Sequence, residues 1–234
     1  MNQNVIYNDL AVIANTVSLN LSYLNSISSS INILESSLQY PLLECMERRL
    51  KYPKISLEHK HPAFESKRCD LFWEDESGEK HLMEMKYDKN GKINKDIVLT
   101  DLIRLYFAKE EGYNAFFLLC TMFSNLSSQS FLNSTPCNTS TDDVLNATMK
   151  PQNKKATAAH SRLKKWLSKG IKNIELRQSD CRAYENFAGS YKLIDKNKSL
   201  PETIQFKTKL IYQTLPNKII PITHKVEIWE IIKK

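Results

Sequence analysis

The sequence predicts an α/β (α+β) fold in which a mixed central sheet is flanked by helices and preceded by a long N-terminal helix. Three observations indicate this fold. An apolar repeat in steps of three and four residues opens the chain, and short alternating segments separated by turn residues follow it. Residues 115–123 then form a continuous apolar run, which is typical of a strand buried on both faces. A chain of 234 residues is long enough for one large domain or for a domain with an appendage.

Residues 5–38 are predicted to form one long helix. A repeat of this kind buries a narrow stripe of side chains against a partner. That partner is either the chain's own domain or a second copy in a coiled-coil homodimer, and both alternatives stay open. We therefore divide the chain into an N-terminal helical segment, residues 1–40, and a main domain, residues 41–234. The stripe consists of Ile6, Leu10, Ile13, Val17, Leu24, Ile27, Ile31, Leu34 and Leu38.

The next part of the chain is predicted to alternate between helices and strands. Pro41 suits the first turn of a second helix because its missing N–H is not needed there, and Gly112 is expected to end a later helix. Ser77 and Gly78 form a plausible turn that makes a hairpin of the strands on either side. The predicted elements are a helix over 41–51, strands over 54–60, 68–73 and 80–87, a helix over 94–111 and a strand over 115–123.

The C-terminal part of the chain is strongly basic. Residues 1–150 carry a net charge of −4 and residues 151–234 one of +11, which together give the overall +7. We expect a mobile loop over 124–156, a basic amphipathic helix over 157–169 and short strands to the end. The helix is either a solvated surface or a contact for a polyanion such as DNA, because phosphates attract clustered cations. Its candidate nucleic-acid contacts are Lys154, Lys155, Arg162, Lys164, Lys165 and Lys169.

The hairpin carries the candidate chemistry. Side chains alternate between the two faces of a strand, so Glu84 and Lys86 project on the same side while Met83 and Met85 face the core. Folding the chain at the predicted turn brings Asp70 opposite this segment. Paired carboxylates repel each other, and a divalent cation relieves that repulsion. Mg²⁺ prefers oxygen ligands and is commonly held by one or two carboxylates together with substrate phosphate.

These residues, Asp70 followed by Glu84-Met85-Lys86 on the next strand, resemble the PD-(D/E)xK nuclease superfamily. The resemblance implies a restriction-endonuclease-like α-β-β-β-α-β core over residues 41–121. It also implies that Asp70, Glu84 and the backbone carbonyl of Met85 ligate Mg²⁺, for which Mn²⁺ can substitute. Lys86 would then assist hydrolysis of a DNA phosphodiester. Cys69 stands where the family name has proline, and that change leaves the ligands intact.

The same resemblance extends to the two neighbouring helices. The family often carries an acidic residue near the metal on the helix before the strands, and either Glu44 or Glu47 fits that position. The helix after the lysine often carries an Asp and basic residues facing the cleft. Asp101 and Arg104 match this pattern, and Arg104 is a candidate phosphate contact.

The sequence thus predicts a Mg²⁺-dependent DNA endonuclease, either a restriction enzyme or another defence nuclease. The alternatives are a non-catalytic DNA-binding or assembly module and a repair, structure-specific or RNA nuclease. The sequence contains no GxxxxGK[ST] motif, the pattern that would indicate NTP hydrolysis of the P-loop kind. No apolar stretch approaches the roughly 18 residues of a membrane span. We expect a cytoplasmic protein because no signal-peptide pattern opens the chain and its five cysteines are scattered.

Overall fold

The computed structural model describes residues 3–27, 36–88, 95–122, 138–139, 144–146, 171–215 and 223–233. The helices are α1 (Gln3–Ile27), α2 (Ser36–Glu44), α3 (Lys95–Glu110) and α4 (Arg182–Ser190), and a π-helical segment, Cys45–Leu50, follows α2. The strands are β1 (Lys54–Lys60), β2 (Arg68–Glu74), β3 (Lys80–Asp88), β4 (Asn114–Met122), β5 (Asn138–Thr139), β6 (Val144–Asn146), β7 (Ile171–Arg177), β8 (Thr203–Gln213) and β9 (His224–Lys233).

The nine described strands form one mixed sheet in the order β1-β2-β3-β4-β9-β8-β7-β6-β5. The pairs β3–β4 and β6–β7 are parallel, and all other neighbours are antiparallel. Helix α3 connects the parallel strands β3 and β4, as a crossover between parallel neighbours requires. The prediction of an α+β fold with a mixed sheet is therefore confirmed, and the predicted order of elements from the second helix to β4 is also present.

The β2–β3 hairpin forms at the predicted turn. The Oδ1 atom of Asp75 accepts hydrogen bonds from the backbone N–H groups of Ser77 at 2.9 Å and Glu79 at 3.0 Å. Gly78 has a φ of +80°, a left-handed conformation that side chains disfavour and glycine adopts readily. The turn fixes the register, in which Leu71 pairs with Met83. That register decides which residues of the two strands share a face.

Helix α1 packs on one face of the chain's own sheet. Leu10, Ile13 and Val17 of its apolar stripe are completely buried in a cluster that includes Met85 and Ile228. This part of the stripe therefore packs on the chain's own domain, the first of the two alternatives, and not on a second copy. Helix α1 covers the predicted helix up to Ile27 and α2 covers it from Ser36, and the predicted stretch between them lies outside the described residues. No described helix combines the length and the hydropathy that a membrane span requires.

The predicted start of the second helix at Pro41 is wrong. Helix α2 spans Ser36–Glu44, so that Pro41 lies inside it and is buried. Proline there cannot donate the hydrogen bond of a regular turn. The π-helical segment follows and ends at Leu50, and the next residue, Lys51, has a φ of 55°.

Helices α3 and α4 cover the opposite face of the sheet. Val98 and Ile103 of α3 are buried together with Tyr184 and Phe187 of α4 and with Phe206 of β8. The prediction did not include α4, although its buried residues recur at helical spacing. Apart from β5 and β6, the predicted loop over 124–156 and the basic helix over 157–169 lie outside the described residues.

The packing of α1 generates a matched pair of leucine variants. We expect Leu10→Ala to lower the free energy of unfolding by about 2–5 kcal/mol, the usual cost of emptying a buried leucine site. Leu19→Ala, in the same helix but 42% exposed, should change it by about 0.5 kcal/mol or less. Urea denaturation at several protein concentrations provides the measurement. A concentration-dependent midpoint for the wild type would contradict stabilisation by intrachain packing alone.

Candidate active site

The candidate site lies on β3, beside the crossover that leads into α3. Met83 and Met85 point into the cluster beneath α1, as predicted. Glu84 and Lys86 therefore project from the other face of the strand, toward α3. Because β3 and β4 are parallel, this part of β3 belongs to the carboxyl-terminal edge of a βαβ unit. Ligands commonly bind at that edge in α/β proteins.

Asp70 joins this segment from β2. Its Oδ2 atom accepts a hydrogen bond of 2.6 Å from the backbone N–H of Met85, the residue between Glu84 and Lys86. Regular pairing of β2 with β3 ends one position away, at Leu71. The carboxylate thus takes the place of a backbone acceptor where the strands diverge. The structure brings Asp70, Glu84 and Lys86 together in the way that the hairpin register implied.

Helix α3 adds two more charged residues, one turn apart. Nζ of Lys86 lies 3.2 Å from Oδ2 of Asp101, and a terminal nitrogen of Arg104 lies 2.9 Å from Oε1 of Glu84. The other terminal nitrogen of Arg104 lies 3.3 Å from Oδ1 of Asp101. We call Asp70, Glu84, Lys86, Asp101 and Arg104 the charged cluster. It contains three carboxylates and two cations.

Burial dominates the electrostatics of the charged cluster. The side chain of Glu84 is 1% exposed and that of Asp101 is 5% exposed. Burial raises the pKa of Glu84 well above its usual value, a rise that Arg104 opposes and that Asp101 and Asp70 reinforce. Burial likewise raises the pKa of Asp101 to about 6, against the opposing charges of Lys86 and Arg104. Both groups are of the kind that a bound cation would stabilise in the ionised form.

Several polar atoms of the charged cluster lack hydrogen bonds. The contact between Arg104 and Glu84 is close enough for an ion pair, but its angle is not that of a hydrogen bond. Three carboxylate oxygens have no hydrogen-bond partner among the described residues: both oxygens of Glu84 and Oδ2 of Asp101. Buried carboxylate oxygens without hydrogen-bond donors are uncommon in folded proteins. The carboxylates of Glu84 and Asp70 form an oxygen-rich donor set that fits Mg²⁺.

The Met85 carbonyl, a further expected ligand, accepts a hydrogen bond of 3.0 Å from Nζ of Lys86. A carbonyl oxygen has two lone pairs, so this bond leaves one for a cation. Its position beside Asp70 and Glu84 agrees with the expected set of ligands.

Neither Glu44 nor Glu47 is brought to the charged cluster. Helix α2 and the π-helical segment pack with Met83 and Met85, on the sheet face opposite to Glu84. Glu44 is exposed and lies 3.7 Å from Arg48, and Glu47 is also exposed. Turning the helix toward the apolar cluster directs its acidic residues to solvent, which the sequence pattern did not reveal. The basic residues between Lys154 and Lys169 lie outside the described residues.

A second group of potential metal ligands lies at the hairpin turn. Asp75, Glu79 and His81 have ligand atoms within 4.8 Å of one another and could hold a metal ion. None of the three is among the ligands predicted from the sequence. The Asp75 carboxylate already accepts bonds from Ser77, Glu79 and His81, and these bonds account for its burial as part of the turn.

The comparisons with known proteins identify no relative. No protein-family model matches the chain, and neither the curated proteins nor the solved structures contain a match.

The buried ion pair generates a stability prediction. We expect Arg104→Met to lower the free energy of unfolding at pH 8 by about 3–5 kcal/mol, because it leaves buried carboxylates without their counter-ion. Arg177→Met is the matched control, since Arg177 pairs with Glu175 at 2.8 Å but is 59% exposed, and it should cost about 1 kcal/mol or less.

The difference in the free energy of unfolding between the wild type and Arg104→Met should shrink as the pH falls from 8 to 5. A carboxyl whose pKa rises on folding binds more protons in the folded than in the unfolded state, so lowering the pH through that pKa favours the fold. Asp101 already has a raised pKa of about 6 with Arg104 present, and removal of the arginine raises it further. Urea denaturation across this range checks the sign. A difference that grows on acidification would contradict the pairing.

Proposed function

We propose that this chain is a Mg²⁺-dependent endonuclease that hydrolyses DNA phosphodiester bonds, as a restriction enzyme or another defence nuclease. The observation that carries the proposal is the convergence of Asp70, Glu84 and Lys86 on one edge of the β2–β3 hairpin. The element order from α2 to β4 supports a restriction-endonuclease-like core. We propose that core as the finer description of the fold.

Asp70, Glu84 and the Met85 carbonyl are the residues that would hold the ion. When bound, Mg²⁺ neutralises phosphate charge and acts as a Lewis acid. Asp70 is the most accessible of the three, because its side chain is half-buried whereas Glu84 is fully buried. A phosphate therefore approaches from the Asp70 side, with Glu84 fixed at the base of the site.

Lys86 supplies the proposed chemistry of the chain itself. Its ammonium is held between the Asp101 carboxylate and the Met85 carbonyl, at 3.2 and 3.0 Å. In this position it can orient a water molecule toward phosphorus and donate hydrogen bonds to the negative charge that develops there. A preorganised donor of this type commonly contributes on the order of 10²–10³ in rate.

Arg104 is the proposed phosphate contact on α3. Its planar guanidinium presents donors in a fork that matches a phosphate as well as a carboxylate. Binding of DNA would exchange part of its present pairing with Glu84 and Asp101 for pairing with phosphate. The basic residues Lys154, Lys155, Arg162, Lys164, Lys165 and Lys169 are proposed, from the sequence alone, to neutralise the DNA backbone farther from the site.

One observation favours a second candidate, a nuclease-like DNA-binding or assembly module without catalysis. Glu84 and Asp101 each face a cation of the chain itself, so the charged cluster is partly neutralised without a metal. A module of this kind would bind DNA but would not cut it. Cleavage of RNA or of branched DNA in place of plain duplex would instead indicate a different nuclease substrate.

Plasmid nicking tests the proposal. The wild-type chain should nick supercoiled plasmid in Mg²⁺ or Mn²⁺ and not in EDTA. Asp70→Asn and Lys86→Ala should each reduce the rate by about 10²-fold or more while keeping the fold and most DNA binding. Lys80→Ala on the same strand and Asp180→Asn are the matched controls, since both side chains are exposed and neither belongs to the charged cluster. A panel of duplex, branched and RNA substrates identifies the preferred one.

The contrary results are distinct. Binding without metal-dependent cutting supports the module. Wild-type rates of cutting by both purified site variants would show that the nuclease activity resides elsewhere.

A further inference from the structure

Tyr191 lies beside the charged cluster, in a part of the chain that the sequence analysis left without a role. It follows α4, and its ring stacks on Phe187 with centroids 3.9 Å apart and meets the Phe64 ring edge-on at 5.3 Å. Burial raises the pKa of Tyr191, the Arg104 charge lowers it, and the charges of Asp101 and Glu84 raise it. The packing agrees with this position, since the Phe64 ring that Tyr191 meets also lies 4.9 Å from the ring of His61, which is hydrogen-bonded to the Arg104 backbone.

The ring of Tyr191 also holds a lysine. Nζ of Lys67 lies 4.3 Å from the ring centroid, well within the range of a cation–π interaction. Lys67 directly precedes β2 and is three residues from Asp70. In the part of the chain that the structure describes, no carboxylate lies within ion-pairing distance of this ammonium.

Backbone contacts fix the two residues relative to each other. The loop between β1 and β2 joins the segment after α4 through a bridge between Phe64 and Leu193 and through a 2.9 Å hydrogen bond from Glu65 N–H to the Lys192 carbonyl. His61 connects the loop to α3. Its Nδ1 accepts a hydrogen bond from Ala63 N–H, so that Nε2 donates to the Arg104 carbonyl at 3.0 Å. Lys67 and Tyr191 thus have fixed positions at one rim of the site.

The type of partner determines what this lysine can do. Lys86 faces Asp101, which cancels its charge. An aromatic ring attracts an ammonium through its quadrupole and carries no net charge. Lys67 is therefore positioned while retaining its full positive charge, as binding of an external anion requires.

We propose that Lys67 binds a backbone phosphate of the DNA strand next to the charged cluster, and that Tyr191 is the positioning residue that holds it there. The inference rests on the proposed function for its substrate class. It adds a phosphate contact outside the motif that suggested the nuclease, and it assigns a role to the segment after α4.

The test measures binding of a fluorescent DNA duplex by anisotropy, with the full chain in EDTA so that no metal-dependent cleavage occurs. Each neutralised phosphate contributes about 0.9 to the slope of log affinity against log salt, which corresponds to roughly 8-fold in affinity at 0.1 M salt. Lys67→Ala should lose about this much affinity and slope, and Tyr191→Leu should do the same. Tyr191→Phe keeps the ring and should bind within about 2-fold of the wild type. The double variant Lys67→Ala/Tyr191→Leu should lose no more than either single variant.

A matched control is present at the other end of β3. Nζ of Lys80 lies 5.8 Å from the ring centroid of Tyr113. Lys80 stands six positions before Lys86 on the strand, which is a distance of about 20 Å. Lys80→Ala and Tyr113→Leu should leave both affinity and salt slope unchanged.

The results separate this inference from the proposed function. An unchanged salt slope in Lys67→Ala overturns the inference even if the wild type cuts DNA, and so does a wild-type chain that does not bind the duplex. Loss of slope in Lys67→Ala, in a wild type that does not cut plasmid, supports the phosphate contact while the nuclease proposal fails. If Tyr191→Leu does not fold, the Lys67→Ala slope and the Tyr191→Phe affinity decide the outcome.

Discussion

The carboxylate of Glu84, buried in the central sheet, is the constraint on which the rest of the site depends. A charge in that position costs several kcal/mol unless the surrounding residues compensate it. Helix α3 supplies Arg104 at 2.9 Å, and Arg104 in turn reaches Asp101, which faces Lys86. The parallel pairing of β3 with β4 requires a crossover helix, and this crossover brings these α3 residues to the strand. The topology of the sheet and the composition of the charged cluster are therefore linked.

The proposed function depends on the excess of acidic over basic side chains in the charged cluster. With all three carboxyls ionised, the two cations leave one negative charge uncompensated, and oxygens of Glu84 and Asp101 lack hydrogen bonds within the described chain. A divalent cation would compensate the excess and use the Asp70 and Glu84 carboxylates as ligands. The neighbouring Lys67, held by a neutral ring, provides positive charge outside the acidic centre. An acidic centre with a basic rim is suited to a phosphodiester, whose oxygens interact with both.

The features that the sequence could predict are those with a strict local period. Strand alternation separated Glu84 and Lys86 from Met83 and Met85, and the Ser77-Gly78 turn set the register that placed Asp70 beside them. The stripe on α1 indicated a buried face but not its partner, because periodicity shows which side is buried and not what covers it. Pro41 was placed at a helix start because proline is common there, whereas tertiary packing accommodates it inside α2. The pairing of Tyr191 with Lys67 joins residues far apart in the chain and has no local pattern.

The most direct test of the account is where a divalent cation binds. Titration of the full chain with Mn²⁺, followed by electron paramagnetic resonance, should show binding that Asp70→Asn and Glu84→Gln each weaken by about 10-fold or more. Asp75→Asn at the hairpin turn should leave that binding unchanged, although Asp75, Glu79 and His81 also lie close enough together to hold an ion. The opposite pattern, with Mn²⁺ binding lost in Asp75→Asn and retained in both Asp70→Asn and Glu84→Gln, would contradict the account.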